Sequence, residues 1–242
     1  MKKIKTAVVT FDIPIEKEEI NLFRAAISNL MGRDKVLFHH HLDTDKYLYK
    51  YPLIQYKQIN GKFAIFSLQE GSDELLKLLE LKNNEIEINR KKLHLSVVSL
   101  HLKQHTLQIW DKFFNYRITN WIAFALNEKN YKEYHTITAL KDRVLLLEKT
   151  LIAHILSFAE GVEWNVDKKI ELFISDIYKV RWIKYKNTGF MAFDLSFSTN
   201  LSLPNYIGLG KSVSIGNGVV KKIKKNELLT YEQEIIQKEV YE

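Results

Sequence analysis

Three consecutive histidines stand early in the chain, in the stretch LFHHHLDTDKYLYKYPLIQYK at residues 37–57. Imidazole gains and loses a proton near neutral pH, so two such groups can serve as a general acid and a general base. In an extended segment, residues i and i+2 point to the same side, which would put His39 and His41 about 7 Å apart. His40 would point the other way. The spacing therefore predicts an acid/base pair made of His39 and His41.

The same residues also form part of a metal motif. His39, His41 and Asp43 spell H-x-H-x-D, which is most of the zinc motif of hydrolases with the metallo-β-lactamase fold. That motif needs another histidine where this chain has Thr44, and it needs more histidines downstream in a βαβ setting. Metal-dependent hydrolysis stays an alternative to acid/base catalysis, and a surface loop without a function is a third interpretation.

Four glycines form a second cluster near the C-terminus, in IGLGKSVSIGNGVVKK at residues 207–222. They are Gly208, Gly210, Gly216 and Gly218. Glycine lets a backbone approach a bulky group closely, and its N–H groups can form a concave anion site. The surrounding lysines suit a phosphate chain, and a tight hairpin is the alternative. A dinucleotide-binding loop is excluded, because the spacing is not G-x-G-x-x-G and because Val213 and Ile215 look like part of a strand.

Composition favours a polyanionic partner. The chain has 242 residues, with Lys+Arg 36 against Asp+Glu 29, a formal net charge of +7 and a pI of about 9.2. It has 0 cysteines, which excludes disulfide frameworks, thiolate metal sites and cysteine nucleophiles, and which predicts a cytoplasmic protein. Asp12 and Pro14 interrupt the first apolar stretch, and the longest apolar runs are too short to cross a bilayer, so no membrane association is expected.

The elements that must position these residues follow a regular order in the first half. Residues 4–11 alternate as a strand does, and residues 16–31 carry apolar side chains at helical spacing. Two further strands at 52–59 and 62–68 are joined by Asn60-Gly61, a dipeptide typical of a two-residue hairpin turn. A leucine-rich helix at 74–82 and a strand at 92–102 complete a β-α-β-β-α-β order, which is ferredoxin-like.

The second half can be interpreted in the same way. We expect a strand at 106–118, a helix at 139–160, a strand at 170–178, and a hairpin of 181–185 with 190–198. The fold class predicted is therefore α+β, with two tandem ferredoxin-like βαββαβ domains. Their bounds are 1–103, with the histidines, and 104–226, with the glycines, and a charged tail follows at 227–242. No Pro- or Ser-rich linker marks the join, so close packing of the two domains is expected.

These features together resemble a known family. Paired G-x-G elements after two ferredoxin-like halves are similar to the CRISPR-associated endoribonucleases of the RAMP superfamily that cut repeat RNA into guide units. FHHH after the first helix, the following KYLYKYPLIQYKQINGK and the later SLPNYIGLGKSVSIG resemble the histidine and glycine segments of one branch. One position departs from the family, which usually has a hydrophobic or aromatic residue inside the last G-x-G, where this chain has Asn217.

The resemblance implies cleavage without a metal or other cofactor. The ribose 2′-hydroxyl attacks the adjacent phosphate in line and leaves a 2′,3′-cyclic phosphate and a 5′-hydroxyl. His39 and His41 would flank that phosphate as acid and base, with the assignment between them open. Tyr47 would orient the ribose, and Lys50 would stabilise charge on the phosphorane.

The partner implied is CRISPR repeat RNA. Stretches that interleave basic and aromatic residues, at 46–51 and 181–186, offer phosphate contacts and stacking platforms. The residues expected to bind RNA are Gly208, Gly210, Lys211, Ser212, Gly216, Gly218, Lys57 and Lys184. A homodimer and transfer of the product to a CRISPR effector complex are further partner predictions. The alternative within the superfamily is a subunit that binds RNA without cutting it, which would need no pair of imidazoles.

Overall fold

A computed structural model describes residues 1–32, 35–39, 51–82, 84–125, 129–185 and 188–223, except for the side chains of residues 39, 184, 185 and 188. The elements of the first half are β1 (Lys2–Pro14), α1 (Ile20–Met31), α2 (Val36–His39), β2 (Ile54–Ile59), β3 (Lys62–Leu68), α3 (Glu70–Leu79), β4 (Glu85–Ile88), β5 (Lys91–His94) and β6 (Val97–Leu107). Those of the second half are β7 (Ile109–Ile122), α4 (Lys129–Thr136), α5 (Leu140–Gly161), β8 (Leu172–Tyr185), β9 (Thr188–Leu201) and β10 (Val219–Lys222). Single 3-10 turns occur at Lys17–Glu19 and Val213–Ile215.

The first half is a four-stranded antiparallel sheet in the order β2-β3-β1-β6. Ala7, Val9 and Phe11 alternate along β1 and are fully buried, in one hydrophobic cluster with residues of α1 and α3. Asn60 and Gly61 both have positive φ and form the turn between β2 and β3, as predicted. This order of strands and helices is the expected ferredoxin-like arrangement.

The second half repeats that strand order, as β10-β7-β9-β8. The long helix α5 lies between β7 and β8 in the chain, so the β-α-β-β part of the pattern is complete. Residues 207–218, which we call the glycine segment, stand in the described chain where a second helix would precede the last strand. The tandem ferredoxin-like fold is therefore confirmed, with the glycine segment as a local variation in its second half.

Several boundaries differ from the sequence prediction. The two strands predicted at 170–178 and 181–185 are one continuous strand, β8 (Leu172–Tyr185). Its register shifts at two places in its pairing with β9, which breaks the alternation of side chains. Val213 and Ile215 are both buried but lie in a 3-10 turn rather than a strand, between two residues of left-handed backbone. The predicted division at 103/104 lies inside β6, and the chain passes from the first sheet to the second at Gln108. The tail at 227–242 lies outside the described residues.

The two halves share their cores. The predicted apolar stripe of α5 is largely confirmed, since Leu147, Leu151 and Phe158 are fully buried, although Leu140 is 73% exposed. Phe66 and Leu68 of β3 belong to the same hydrophobic cluster as α5, while Ile215 of the glycine segment belongs to the cluster around α1. The halves therefore pack closely, as expected. Across the described ranges, we find no helix with the length and hydropathy needed to span a membrane.

Candidate functional site

The histidine run begins at the end of a helical turn. His39 is the last residue of α2, so its backbone is helical and not extended as the spacing argument assumed. The strand geometry that the spacing argument assumed therefore does not apply at His39. His41, Tyr47 and Lys50 fall within residues 40–50, outside the described residues, as does Asp43 of the metal alternative.

The backbone just before His39 is held by two hydroxyl groups. Ser28 of α1 donates a hydrogen bond to the carbonyl oxygen of Phe38 at 3.2 Å, and Tyr56 of β2 donates to the same oxygen at 3.1 Å. The side chain of Phe38 is fully buried, and its N–H donates to the carbonyl of Lys35 at 3.0 Å. Three elements therefore meet at the peptide that leads into His39.

The α1 helix also contacts the glycine segment at this place. Arg24 lies one turn before Ser28 on the same face of α1, and its guanidinium donates to the hydroxyl of Ser214 at 3.5 Å. Burial raises the pKa of the Tyr56 hydroxyl, and the Arg24 charge and Ser28 oppose that rise only in part. Tyr56 therefore stays a protonated donor while imidazoles titrate.

A second network joins β2 to the glycine segment at the other side of residues 40–50. Tyr51 donates from its hydroxyl to the carbonyl of Gly208 at 2.6 Å, and Gln55 donates to that hydroxyl at 2.9 Å. The N–H of Gly208 donates back to the side-chain oxygen of Gln55 at 2.9 Å. Burial raises the pKa of Tyr51, so this hydroxyl also remains a donor. The run YPLIQYK thus supplies contacts on both sides of the undescribed residues.

Close packing explains the density of glycines. Gly210 and Gly218 have φ of +99° and +63°, and a Cβ at Gly218 would overlap the backbone of Leu209. The N–H groups of Gly208, Gly216 and Gly218 all donate within the protein. Three of the four glycine N–H groups are therefore used internally, which differs from the open anion site expected from the spacing.

The predicted RNA-binding lysines have different surroundings. Lys211 and Ser212 are partly exposed in the glycine segment. Lys57 is fully buried, and within the described part of the chain its ammonium has no hydrogen-bond partner. Its burial is at odds with the surface phosphate contact we expected, because β2 turns this side chain into the interior, with the ammonium 5.9 Å from the centre of the Phe66 ring. The backbone of Lys184 lies in β8, and its side chain is not described.

A cleft of about 600 Å³ opens between the two halves beside the glycine segment. Its cationic lining residues come from both halves, and they are Lys17, Arg117, Lys221 and Lys222. Gln58, Asn60, Asn120 and Asn205 add amide groups, and none of the lining residues in the described part of the chain is acidic. The cleft is thus large enough for a nucleotide and suited to phosphate.

Aromatic rings lie beside three of the four cleft cations. The guanidinium of Arg117 lies 5.0 Å from the centre of the Tyr178 ring, and the ammonium of Lys222 lies 4.8 Å from that of Phe114. Lys221 is 5.7 Å from the ring of Tyr206. These cation–π contacts restrict the orientations that the three cationic side chains can take.

Sequence reasoning missed most of this arrangement. It identified Lys221 and Lys222 as positive charge near the glycines, but not Lys17 or Arg117, which are far from them in the chain. Within residues 37–57 it used the histidines, Tyr47, Lys50 and Lys57, and it overlooked Gln55 and Tyr56. The signal for those groups was the run of four residues with polar groups, 55–58, between Ile54 and Ile59 in a predicted strand, because polar side chains that become buried need partners.

Known proteins resemble the chain along almost its whole length. A family model of the Cas6b N-terminal domain matches residues 2–106, and one of the Cas6b C-terminal domain matches residues 108–223. The protein MJ0978 of Methanocaldococcus jannaschii is 37% identical over 108 residues, which are 45% of this chain and 71% of that protein.

Solved structures have the same fold. A crystal structure of Cas6b superimposes with a TM-score of 0.82 at 25% identity, over 92% of this chain and 100% of that one. A second, of the CRISPR RNA processing endoribonuclease Cas6b, gives 0.69 at 24% identity over the same shares. Csf5, a type IV Cas6 crRNA endonuclease, gives 0.54 at 12% identity. Since both family models match and together span both halves, the chain belongs to the Cas6b family.

Proposed function

We propose that this protein is an endoribonuclease that cuts CRISPR precursor RNA within the repeat, by attack of a ribose 2′-hydroxyl on the adjacent phosphate. The products are a 2′,3′-cyclic phosphate and a 5′-hydroxyl, and no metal takes part. Membership of the Cas6b family supports the substrate class. The observation that carries the site assignment is the position of His39, which ends α2 where α1, β2 and the glycine segment meet.

His39 and His41 would carry the proton transfers. One imidazole takes the proton of the 2′-hydroxyl while the O2′–P bond forms, and the other imidazolium gives a proton to O5′ while the P–O5′ bond breaks. The attacking oxygen belongs to the RNA itself, so no water has to be activated. Tyr47 would orient the ribose, and Lys50 would stabilise the charge that develops on the phosphorane.

The interdomain cleft and the glycine segment would bind the RNA. Four cations of the cleft can neutralise phosphates, and Lys211, Ser212 and Lys184 would extend that surface. Because three of the four glycine N–H groups donate within the protein, the RNA contacts of the glycine segment are expected mainly from its side chains. The proposed division of labour is catalysis by the histidine segment of the first half and RNA binding along the cleft between the halves.

The test is cleavage of a repeat RNA in chelator by the purified protein, compared with its H39A/H41A variant. We expect the wild-type protein to cut once per repeat in EDTA and to leave a cyclic phosphate, which is shown by its loss on acid treatment. The variant should bind the RNA with unchanged affinity and cut at least about 100-fold more slowly, as removal of acid/base groups implies.

Three outcomes would contradict the proposal. Loss of wild-type cutting in EDTA, with recovery on adding zinc, would favour the hydrolase that uses His39, His41 and Asp43. Binding without cutting in either buffer would favour an RNA-binding subunit of the RAMP type. Undiminished cutting by the double variant would remove both histidines from the chemistry.

The remaining partner and compartment predictions belong to the same proposal. We infer that the protein acts in the cytoplasm, because it has no cysteine and its substrate is a transcript. A homodimer and transfer of the product to a CRISPR effector complex are proposed partners. Size-exclusion chromatography with light scattering, with and without RNA, tests the dimer.

A further inference from the structure

We propose that the hydroxyls of Ser28 and Tyr56 are positioning groups for cleavage, because together they fix the peptide that joins Phe38 to His39. The inference rests on the proposed role of His39. It adds two residues that do not touch RNA and that act through the orientation of the histidine. The run YPLIQYK thereby gains a function besides that of a core strand.

Because a peptide group is planar, hydrogen bonds to the carbonyl oxygen of Phe38 are sufficient to orient the backbone of His39. The carbonyl oxygen of Phe38 lies in the same plane as the nitrogen and Cα of His39, because the peptide bond does not rotate freely. A carbonyl oxygen has two lone pairs, and here one accepts from Ser28 at 3.2 Å and the other from Tyr56 at 3.1 Å. Two donors from different elements, α1 and β2, therefore restrain the peptide plane, and with it the Cα of His39.

The two donors are themselves held in place. Tyr56 is only 1% exposed, and its ring stacks at 6.2 Å from that of Phe63 in the core of the first half. Ser28 lies in α1, whose buried face packs through Phe23 and Ile27. Both hydroxyls are therefore attached to rigid elements, which is the condition for positioning a neighbour to within a few tenths of an ångström.

The C-terminal side of residues 40–50 is held from the same strand region. Tyr51 and Gln55 hydrogen-bond the backbone of Gly208 in the glycine segment. Ser28 and Tyr56 hold the chain just before residues 40–50, and Tyr51 and Gln55 hold it just after them by contacts with the second half. Loosening either side should change the chemical step more than it changes RNA affinity, since none of these groups lies on the cationic cleft wall.

The experiment compares Y56F and S28A with the wild-type protein in single-turnover cleavage of repeat RNA in EDTA, at saturating protein. Each variant removes one hydroxyl and leaves the fold's apolar contacts. We expect the rate to fall about tenfold in each and further in the double variant, since small misplacements of a catalytic group reduce rates strongly. RNA affinity and the midpoints of the pH–rate profile should stay unchanged. S28T keeps the donor and should restore most of the rate.

Y116F is the matched control. Tyr116 is a fully buried tyrosine of the second half whose hydroxyl donates to the carbonyl of Leu201 at 3.4 Å and accepts from the N–H of Leu203 at 2.8 Å. Its removal should lower thermal stability about as much as Y56F does and leave the cleavage rate unchanged. Equal rate losses in Y56F and Y116F would show a merely structural effect and overturn the inference.

The remaining outcomes separate this inference from the proposed function. If H39A is inactive while S28A and Y56F cut at the wild-type rate, only the positioning role is wrong. If H39A cuts normally, the role of His39 fails, and the positioning inference fails with it. If Y56F does not fold, S28A and S28T decide the question, because a part-buried serine can be replaced without disturbing the core.

Discussion

Lys57 combines a charged side chain with a fully buried position. Burial lowers the pKa of its ammonium from 10.5 to about 7, because a charge in the protein interior loses its hydration. Removing the charge should therefore stabilise the protein, since at neutral pH much of the Lys57 population still carries a proton in an apolar setting. At the scale of the residue, Lys57 therefore belongs to the core of the protein.

We expect K57M to raise the free energy of unfolding at pH 7 by about 2 kcal/mol or more, since each pKa unit corresponds to about 1.4 kcal/mol. Between pH 7 and 10.5 the unfolded chain holds a proton that the folded protein has lost, so wild-type stability rises with pH in that window. The free energy of unfolding of K57M should rise less over the same pH range, because the variant has no ammonium at this position. Urea unfolding at pH 7 and pH 9 measures both effects.

K57R provides the control for this prediction. Arginine cannot lose its proton in this range, so the variant should be less stable than the wild type at both pH values. A K57M protein that is less stable than the wild type would show that the ammonium is stabilised by the fold.

At the scale of elements, the glycine segment takes the position in the chain that the helix α3 has in the first half, before the last strand of the sheet. It packs Ile215 into the core of the first half and carries the backbone of Gly208 to Gln55. Its backbone leaves no space for a side chain at Gly218, because the backbone of Leu209 passes directly against that residue. The glycine segment therefore has a structural role, which is to connect the two halves, in addition to any contact with RNA.

Gly218 and Gly61 both have positive φ, so comparing their alanine variants separates the cost of the lost packing space at Gly218 from the cost of backbone strain. We expect G218A to destabilise the protein by about 3 kcal/mol or more, because the new methyl group would overlap the backbone of Leu209 in addition to straining φ. In G61A the methyl group meets nothing within 4 Å, so only the strain of about 1 kcal/mol remains. Thermal unfolding of both variants checks the difference, and equal losses would contradict the packing argument.

At the scale of the whole molecule, the halves build the cationic cleft jointly. Lys17 belongs to the first half and Arg117, Lys221 and Lys222 to the second, so neither half alone has the complete surface. No carboxylate lines the cleft among the residues that the structure describes, and such a cationic surface attracts RNA by releasing its counterions. The cleft should therefore control affinity and its salt dependence more than the chemical step.

We expect K17Q/K222Q to weaken binding of repeat RNA about tenfold or more at moderate salt. The slope of log Kd against log salt should decrease by about 1.4, because each lost phosphate contact on a single strand removes about 0.7. The cleavage rate at saturating RNA should stay unchanged. Filter binding across a salt series measures the slope.

K91Q/K92Q is the control for the cleft. It removes the same amount of charge from exposed lysines of β5, which do not line the cleft. Its effects on RNA affinity and on the salt slope should be much smaller than those of K17Q/K222Q. Equal effects of the two double variants would assign RNA binding to net charge rather than to this surface.

The sequence by itself determined the features that depend on local pattern. The strand and helix order, the Asn60-Gly61 turn and the buried face of α5 follow from side-chain period and turn chemistry, and the histidine and glycine segments carried the family resemblance. Only the tertiary structure decided which groups meet. Ser28, Phe38 and Tyr56 converge because α1, α2 and β2 pack together. Three of the four glycine N–H groups are used internally because the glycine segment packs against both halves. Burial and hydrogen-bond partners are long-range properties of a folded chain, and spacing along the sequence does not contain them.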